Sequence, residues 1–374
     1  MTDTAMLDAA LFHASYAECR AAFLAAAAAA DAQMLRFEHP SARRPASEAL
    51  TMDAALIGPA DAKHLLVMSS GTHGSEGFVG SALQTDTLRR LDLSALMRQD
   101  IAILMIHGVN PFGWSHHSRT NENQVDLNRN FVDFGRPRRE HPLSEAIQRV
   151  SALSTRDGPD FAAISADMQT LIQAHGLPAV SDALQCGQYV KQDGVGFGGF
   201  TPEWSNVTLH EIWARFFVGR AVIGLIDWHT GLGQYGEPVF LCFDDPQGAS
   251  YALAASWWGD EALAASNQSY QSGTRPIYSG LLIVAAAQAA RAAGATPVGA
   301  VVEFGTFDPL QAAQCLWIDR WLRNQPVDAD PDKVRALDAH VLHFFYPNEP
   351  KWNETALTNG RAIIDRAIAG LATA

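Results

Sequence analysis

Cysteine is scarce and scattered. The four in 374 residues, Cys19, Cys186, Cys242 and Cys315, never form a C-x-x-C pair. That excludes a cysteine zinc knuckle and a disulfide framework, and it suits a reducing, cytoplasmic compartment. Long apolar runs are also missing. The longest, residues 21–30, has ten residues, against the roughly 18 that a membrane-spanning helix needs. Asp3, Asp8 and Glu18 precede it, where a secretion signal carries positive charge. The run reads as an alanine-rich helix, and no membrane partner is expected. Basic residues are outnumbered: 27 Lys and Arg against 40 Asp and Glu, a net charge of −13. A chain this acidic does not bind nucleic acid through bulk charge. A local basic pocket stays open.

Several catalytic motifs are absent. No G-x-S-x-G occurs, so a nucleophile elbow is unsupported. No Gly-Lys pair occurs, so there is no Walker lysine. His210-Glu211 begins a zincin-like string, but Ala214 stands where its second histidine belongs. A literal G-x-G-x-x-G occupies 194–199. A dinucleotide site needs a strand before it and a helix after it. Here Lys191-Gln192-Asp193 precede it and Pro202 follows, so it reads as a glycine loop.

What is present is a globular composition, 48% hydrophobic and 18% charged. The chain alternates short apolar runs with helical patterns. Residues 50–57, 65–68, 101–106, 221–226, 238–243 and 298–304 read as strands, and 15–33, 78–91, 203–218 and 281–293 as helices. Residues 143–175 read as two helices broken at Asp157-Gly158-Pro159, residues 185–206 as loop, and the last 65 as mostly helical. Strand–loop–helix–strand is the pattern of an α/β sheet. One domain over 1–374 with long insertions fits better than two, since no linker or repeat is visible.

Ionisable residues collect at the ends of these strands, where open α/β sheets place ligands. His73 and Glu76 form H-x-x-E in a glycine-rich loop after 65–68. His229 follows 221–226, and Glu303 sits at the end of 298–304. Two histidines and one carboxylate with an open fourth position make a catalytic zinc site. A further carboxylate beside the bound water serves as general base. Alone, H-x-x-E is a weak signal, and a strand-end histidine can simply bond to backbone. His116 and His117 are adjacent, so they point apart and read as polar loop. Phe197 and Trp204 read equally well as pocket wall or as core.

The segment between these residues adds weight. It carries N-P-x-G at Asn110–Gly113, then Arg119-Thr120-Asn121, then V-D-L-N-R-N-F from Val125 to Phe131. In order with H-x-x-E, a strand-end His and a strand-end Glu, this resembles the zinc carboxypeptidase superfamily, which includes aspartoacylase-like deacylases. D-W-H-T-G-L-G at 227–233 and V-E-F-G-T at 302–306 are most similar to its bacterial DUF2817 branch. The resemblance implies a mixed, mostly parallel sheet with helices on both faces. It implies one zinc ion held by His73, Glu76 and His229, with Glu303 as general base. Arg119 would polarise the scissile carbonyl, and Asn128 and Arg129 would hold a substrate carboxylate. Asp126 would orient the first histidine, and Tyr278 would match the family's mobile substrate tyrosine.

The chemistry agrees with the analogy. Guanidinium and amide donors suit a planar carboxylate, which arginine can bind bidentately. A fixed cation at Arg119 stands where an oxyanion would develop. The expected function is therefore zinc-dependent amide hydrolysis on a small peptide or an N-acyl amino acid, as a carboxypeptidase or a deacylase. A non-catalytic binding protein on the same fold would normally lack a ligand or the base, and none is missing here. Residues 133–206 depart from the family pattern and are expected to line the cleft as an insertion.

Overall fold

The computed structural model describes residues 10–43, 49–263 and 278–374. Seven strands form one sheet in the order β1-β2-β4-β3-β7-β9-β8. They are β1 (Gln33–Arg43), β2 (Ala49–Ile57), β3 (His64–Ser70), β4 (Ile101–His107), β7 (Val222–Tyr235), β8 (Pro238–Leu241) and β9 (Thr296–Gly305). A separate two-residue pair, β5 (Ser154–Thr155) and β6 (Gly158–Pro159), makes a small hairpin. The four central strands β4, β3, β7 and β9 run parallel, and β1, β2 and β8 join antiparallel at the edges. The sheet is thus mixed, with a parallel centre.

Buried parallel strands are apolar on both faces because helices cover both. In β3, Leu65 and Val67 enter one core, while Leu66 and Met68 enter the other. This is the period-two alternation of a strand. The helices Tyr16–Ala29, Gly77–Arg90 and Pro350–Leu371 cover the second of these faces. The helices Trp204–Phe216 and Leu282–Ala292 cover the first. Among the described residues no helix is long and apolar enough to cross a membrane.

Three elements differ from the sequence reading. β7 does not stop at residue 226. It continues through Asp227-Trp228-His229 to Tyr235: pairing with β9 holds register as far as Thr230, with His229 opposite Glu303 and Thr230 opposite Phe304, and shifts before Tyr235 pairs with Gly305. His229 is therefore inside the strand and not after it. β1 has no counterpart in the sequence reading: it is an edge strand in which Arg36 and Glu38 interrupt Leu35 and Phe37, so it lacks a continuous apolar run. The helix Leu177–Gln185 also falls between the two predicted segments. It starts on Gly176 with φ +83° and carries a proline in its first turn.

The break at 157–159 is the β5–β6 hairpin, between helices Ser144–Ser151 and Phe161–His175. These helices and Leu177–Gln185 share a small core of Ile147, Val150, Ile164, Met168, Val180 and Ala183, which leans on Trp317.

Candidate active site

The C-terminal end of β3 delivers a tight loop. Residues Gly74–Glu76 form one 3-10 turn, and the helix Gly77–Arg90 begins immediately after. Its position is set by the N-P-x-G segment. Asn110 N–H donates to Gly71 O at 2.8 Å, and Asn110 Oδ1 accepts from Gly113 N–H at 2.8 Å. Gly113 then lies so close to Gly74 that no Cβ would fit between them. Asn110–Gly113 is thus a buttress under the loop.

His73, Glu76 and His229 converge, and all three are buried. His73 Nδ1 lies 2.9 Å from Glu76 Oε1, His229 Nδ1 lies 2.8 Å from Glu76 Oε2, and the two Nδ1 atoms are 3.2 Å apart. One donor atom from each residue falls within 4.8 Å of the others. Behind them, His73 Nε2 donates to Asp126 Oδ1 at 3.2 Å, and His229 Nε2 donates to Asp227 Oδ2 at 2.8 Å. With each Nε2 carrying its proton to a carboxylate, both Nδ1 lone pairs face the Glu76 carboxylate. Such an arrangement calls for a cation or shared protons between them. Electrostatics agree. Burial alone would lower the His229 pKa, but Asp227 and Glu76 hold it well above its ordinary value. Burial would raise Glu76, yet the two histidines draw it below the usual carboxylate range.

Asp126 works in both ways open to it. Its Oδ1 caps the turn Leu127–Arg129 by accepting from Asn128 N–H at 3.0 Å, and the same oxygen receives His73. Its Oδ2 accepts from Arg119 Nε at 3.1 Å. Arg119 Nη1 reaches Glu76 Oε1 at 3.2 Å. Burial opposes the Arg119 charge, but Asp126 and Glu76 hold it firmly protonated. Glu303 stands beside His229 on the neighbouring strand. Its Oε2 is buried without a hydrogen-bond partner. Burial and the Glu76 charge push its carboxyl up to about 8.

Asn128 and Arg129 follow Asp126 in the same turn. Asn128 Oδ1 accepts from Leu282 N–H at 2.9 Å, which ties this turn to the start of the helix Leu282–Ala292. Arg129 is 6% exposed, its Nη1 donates to Asn128 O at 2.8 Å, and its Nε is buried without a partner. Among the described residues it forms no ion pair with any carboxylate. The Tyr278 ring lies 5.3 Å from its guanidinium carbon. The residues read from the sequence thus fall into two adjoining groups, His73–Glu76–His229–Glu303–Arg119–Asp126 and Asn128–Arg129–Tyr278. His116 stacks on Phe112, and His117 pairs with Asp338, apart from both. Phe197 is core, and Trp204 meets His39 edge-on.

Sequence reasoning missed Asp227. It is fully buried, and its Oδ1 accepts from Ser69 Oγ at 2.6 Å and Thr72 Oγ1 at 2.8 Å. The available signal was its spacing: on a strand, residues two apart share a face, so Asp227 had to stand beside His229 once the strand was known to continue.

The family model described as "Protein of unknown function (DUF2817)" matches residues 12–359. No curated protein matches the chain. Among solved structures, carboxypeptidase A from Helicoverpa armigera is 15% identical with a TM-score of 0.53, covering 97% of this chain and 74% of that one. That likeness shows the carboxypeptidase fold. Bovine thrombin-activatable fibrinolysis inhibitor is 10% identical with a TM-score of 0.48, covering 97% and 98%. The murein-tripeptide amidase of Escherichia coli O157 is 16% identical with a TM-score of 0.37, covering 79% and 93%.

Proposed function

The chain belongs to the DUF2817 family, and we propose that it is a zinc-dependent amide hydrolase of the carboxypeptidase kind, acting on a small substrate with a free carboxylate. The observation that carries this reading is the convergence of His73 Nδ1, His229 Nδ1 and the Glu76 carboxylate, each histidine backed by its own carboxylate. Two imidazoles and a carboxylate are a catalytic zinc donor set, and these three residues would hold the ion. When bound, zinc lowers the pKa of a water to about 7 and polarises a carbonyl oxygen.

The chain's own groups supply the rest. Glu303 Oε2, buried and unpartnered, takes the proton of the attacking water and returns it to the leaving nitrogen. With a dication held by His73, Glu76 and His229, Glu303 would take its ionised form, the one that accepts a proton. Arg119, clamped between Glu76 and Asp126, brings a fixed positive charge to the oxygen where negative charge develops. Arg129 receives the substrate carboxylate. A buried guanidinium that touches no carboxylate among the described residues is costly, and an anionic substrate group offsets that cost. The same arginine reconciles an acidic chain with an anionic substrate.

Deacylation of an N-acyl amino acid is the second reading. It uses the same atoms, and the enclosure of Arg129 favours a substrate of that size. A binding role without catalysis is disfavoured because ligands, base and arginine are all in place. The four cysteines are free, in keeping with a reducing, cytoplasmic setting.

The test is elemental analysis followed by a screen. Protein from zinc-replete medium is expected to carry about one zinc per chain, as a three-ligand mononuclear site holds. That protein is then offered peptides and N-acyl amino acids, each beside its C-terminal amide. Zinc retained but no amine released from any free-carboxylate compound would reject the hydrolase reading. Metal-free protein from replete medium would reject the site itself.

A further inference from the structure

The turn at 185–189 meets Arg129 and Tyr278 from three directions. Gly187 lies against the arginine stem: its φ is +82°, and a Cβ there would stand 2.8 Å from Arg129 Cδ. The Tyr189 hydroxyl donates to Arg129 O at 2.8 Å. The Tyr278 hydroxyl donates to Gln185 Oε1 at 2.7 Å, and Gln185 Nε2 donates onward to Ser181 Oγ at 2.9 Å within its own helix. Arg129 is therefore packed by backbone along its stem, and its guanidinium faces an aromatic ring that a glutamine holds in place. All of these contacts come from the segment that departs from the family pattern.

We propose that this turn is the specificity element of the site and that Gln185 is a positioning residue. Through Tyr278 it keeps the Arg129 guanidinium in a slot closed beyond the carboxylate. The site then accepts a chain-terminal carboxylate and rejects neutral amides and internal peptide bonds. The inference rests on Arg129 being the group that receives the substrate anion.

The physical argument has two steps. A guanidinium has donors only, so the NH2 of a carboxamide brings a fourth set of donors where an acceptor is wanted. That mismatch discriminates only if the arginine cannot shift to avoid it, and rigidity of this kind comes from neighbours whose rotamers are themselves locked. Gln185 locks Tyr278, and Gly187 leaves the stem no room on its side. The ring also meets Phe243 edge-on, at 5.7 Å between centroids, so cutting the Gln185–Tyr278 bond does not release it but unties its hydroxyl from the turn, loosens the face it offers the guanidinium and erodes the selectivity.

The test uses the 374-residue chain, stripped of metal and dialysed so that protein groups alone meet the ligand. Isothermal titration compares N-acetylglycine with N-acetylglycinamide. Wild type is expected to prefer the acid at least about tenfold, as a charge-assisted hydrogen bond allows. Gln185→Ala and Tyr278→Phe should each lower that ratio by about the same factor, and the double variant no further, because the bond they share is the one that links the ring to the turn, while the Gln185–Ser181 bond touches neither Tyr278 nor Arg129. Each variant removes that bond from a different element, so a folding fault in one would not recur in the other; ligand-free melting curves show it. An unchanged ratio in both single variants, or effects that add in the double variant, overturns the role of Gln185 and leaves the hydrolase reading intact. Equal binding of acid and amide by wild type overturns instead the assignment of Arg129 as anion receiver.

Discussion

Asp227 and His229 stand two residues apart on one face of β7, joined by a 2.8 Å hydrogen bond from His229 Nε2 to Asp227 Oδ2. Asp227 Oδ1 is held in turn by the hydroxyls of Ser69 and Thr72. With both oxygens engaged, the carboxylate cannot rotate. It fixes the histidine's tautomer and aims Nδ1 at Glu76. The sheet thereby orients the proposed metal ligand His229 through a chain of three polar contacts, all in its buried interior.

Asp227→Asn tests that chain. The amide keeps the shape, but its orientation and charge no longer specify the protonated Nε2. Zinc affinity should fall 10–100-fold, the usual effect of losing a carboxylate behind a metal-bound histidine. Competition against a chromogenic chelator measures it. Affinity within a factor of two of wild type would show that something else orients His229.

Glu303→Gln separates proton transfer from metal binding. Glutamine fits the same pocket beside His229 but cannot accept the water proton. Turnover should drop about 10²–10⁴-fold while zinc content stays at the wild-type level. Parallel elemental analysis and single-turnover rates give the answer. Substantial remaining turnover removes Glu303 from its role.

Much of this site was legible because its residues lie next to strand ends that composition marks clearly. Apolar runs at 101–106 and 298–304 located β4 and β9; the loop after β4 carries Arg119 and Asp126, and β9 itself carries Glu303. Two things were hidden. β7 continues past its apolar run because pairing with β9 holds polar residues in register, and that is a tertiary effect no local pattern reports. Asp227 vanished with the misplaced strand end. Likewise Gln185 and Gly187 lie far in sequence from Tyr278 and Arg129, and only packing brings them together. The Arg129 setting was half visible: the resemblance pointed to a carboxylate partner, but that no carboxylate among the described residues touches it is a fact of the fold.

Asp319 offers a test by pH. It is buried on the helix Pro309–Arg323, and burial pushes its carboxyl up to about 6, against the pull of the Ser118 hydroxyl, Arg323 and Arg119. A folded-state value above the unfolded one means that ionisation opposes folding. The stability contribution is complete below the unfolded value near 3.8 and is lost as pH rises through about 6. Asp319→Asn removes that loss. The variant's melting temperature relative to wild type should climb between pH 4 and pH 6 and level off above, by no more than about 3 kcal/mol in stability. A difference independent of pH would mean that Asp319 is ionised in the folded protein throughout.

Arg119 and Arg129 make the sharpest prediction, because they are ten residues apart in opposite surroundings. Arg119 bridges two carboxylates, Glu76 and Asp126. Removing it leaves both without their cation, and breaking a buried pair costs about 3–5 kcal/mol. Arg119→Ala should therefore lower the melting temperature. It should also lower kcat and kcat/KM together, by about 2.7–4 kcal/mol of barrier for a lost oxyanion donor. Among the described residues Arg129 makes no such direct ion pair, and the Asp126 charge acts on it only from further off, so Arg129→Met removes a buried charge with no carboxylate in contact and keeps the volume. Its ligand-free melting temperature should hold or rise, while KM for free-carboxylate substrates increases and the preference over amides disappears. Two structural arginines would both lose stability when replaced, and neither would distinguish acid from amide. Only a ligand-binding cation gains stability from its own removal and loses selectivity in the same variant. Melting curves and steady-state kinetics on a matched acid and amide decide between the two accounts, and a destabilised Arg129→Met that still prefers the acid would end the anion-receiver assignment.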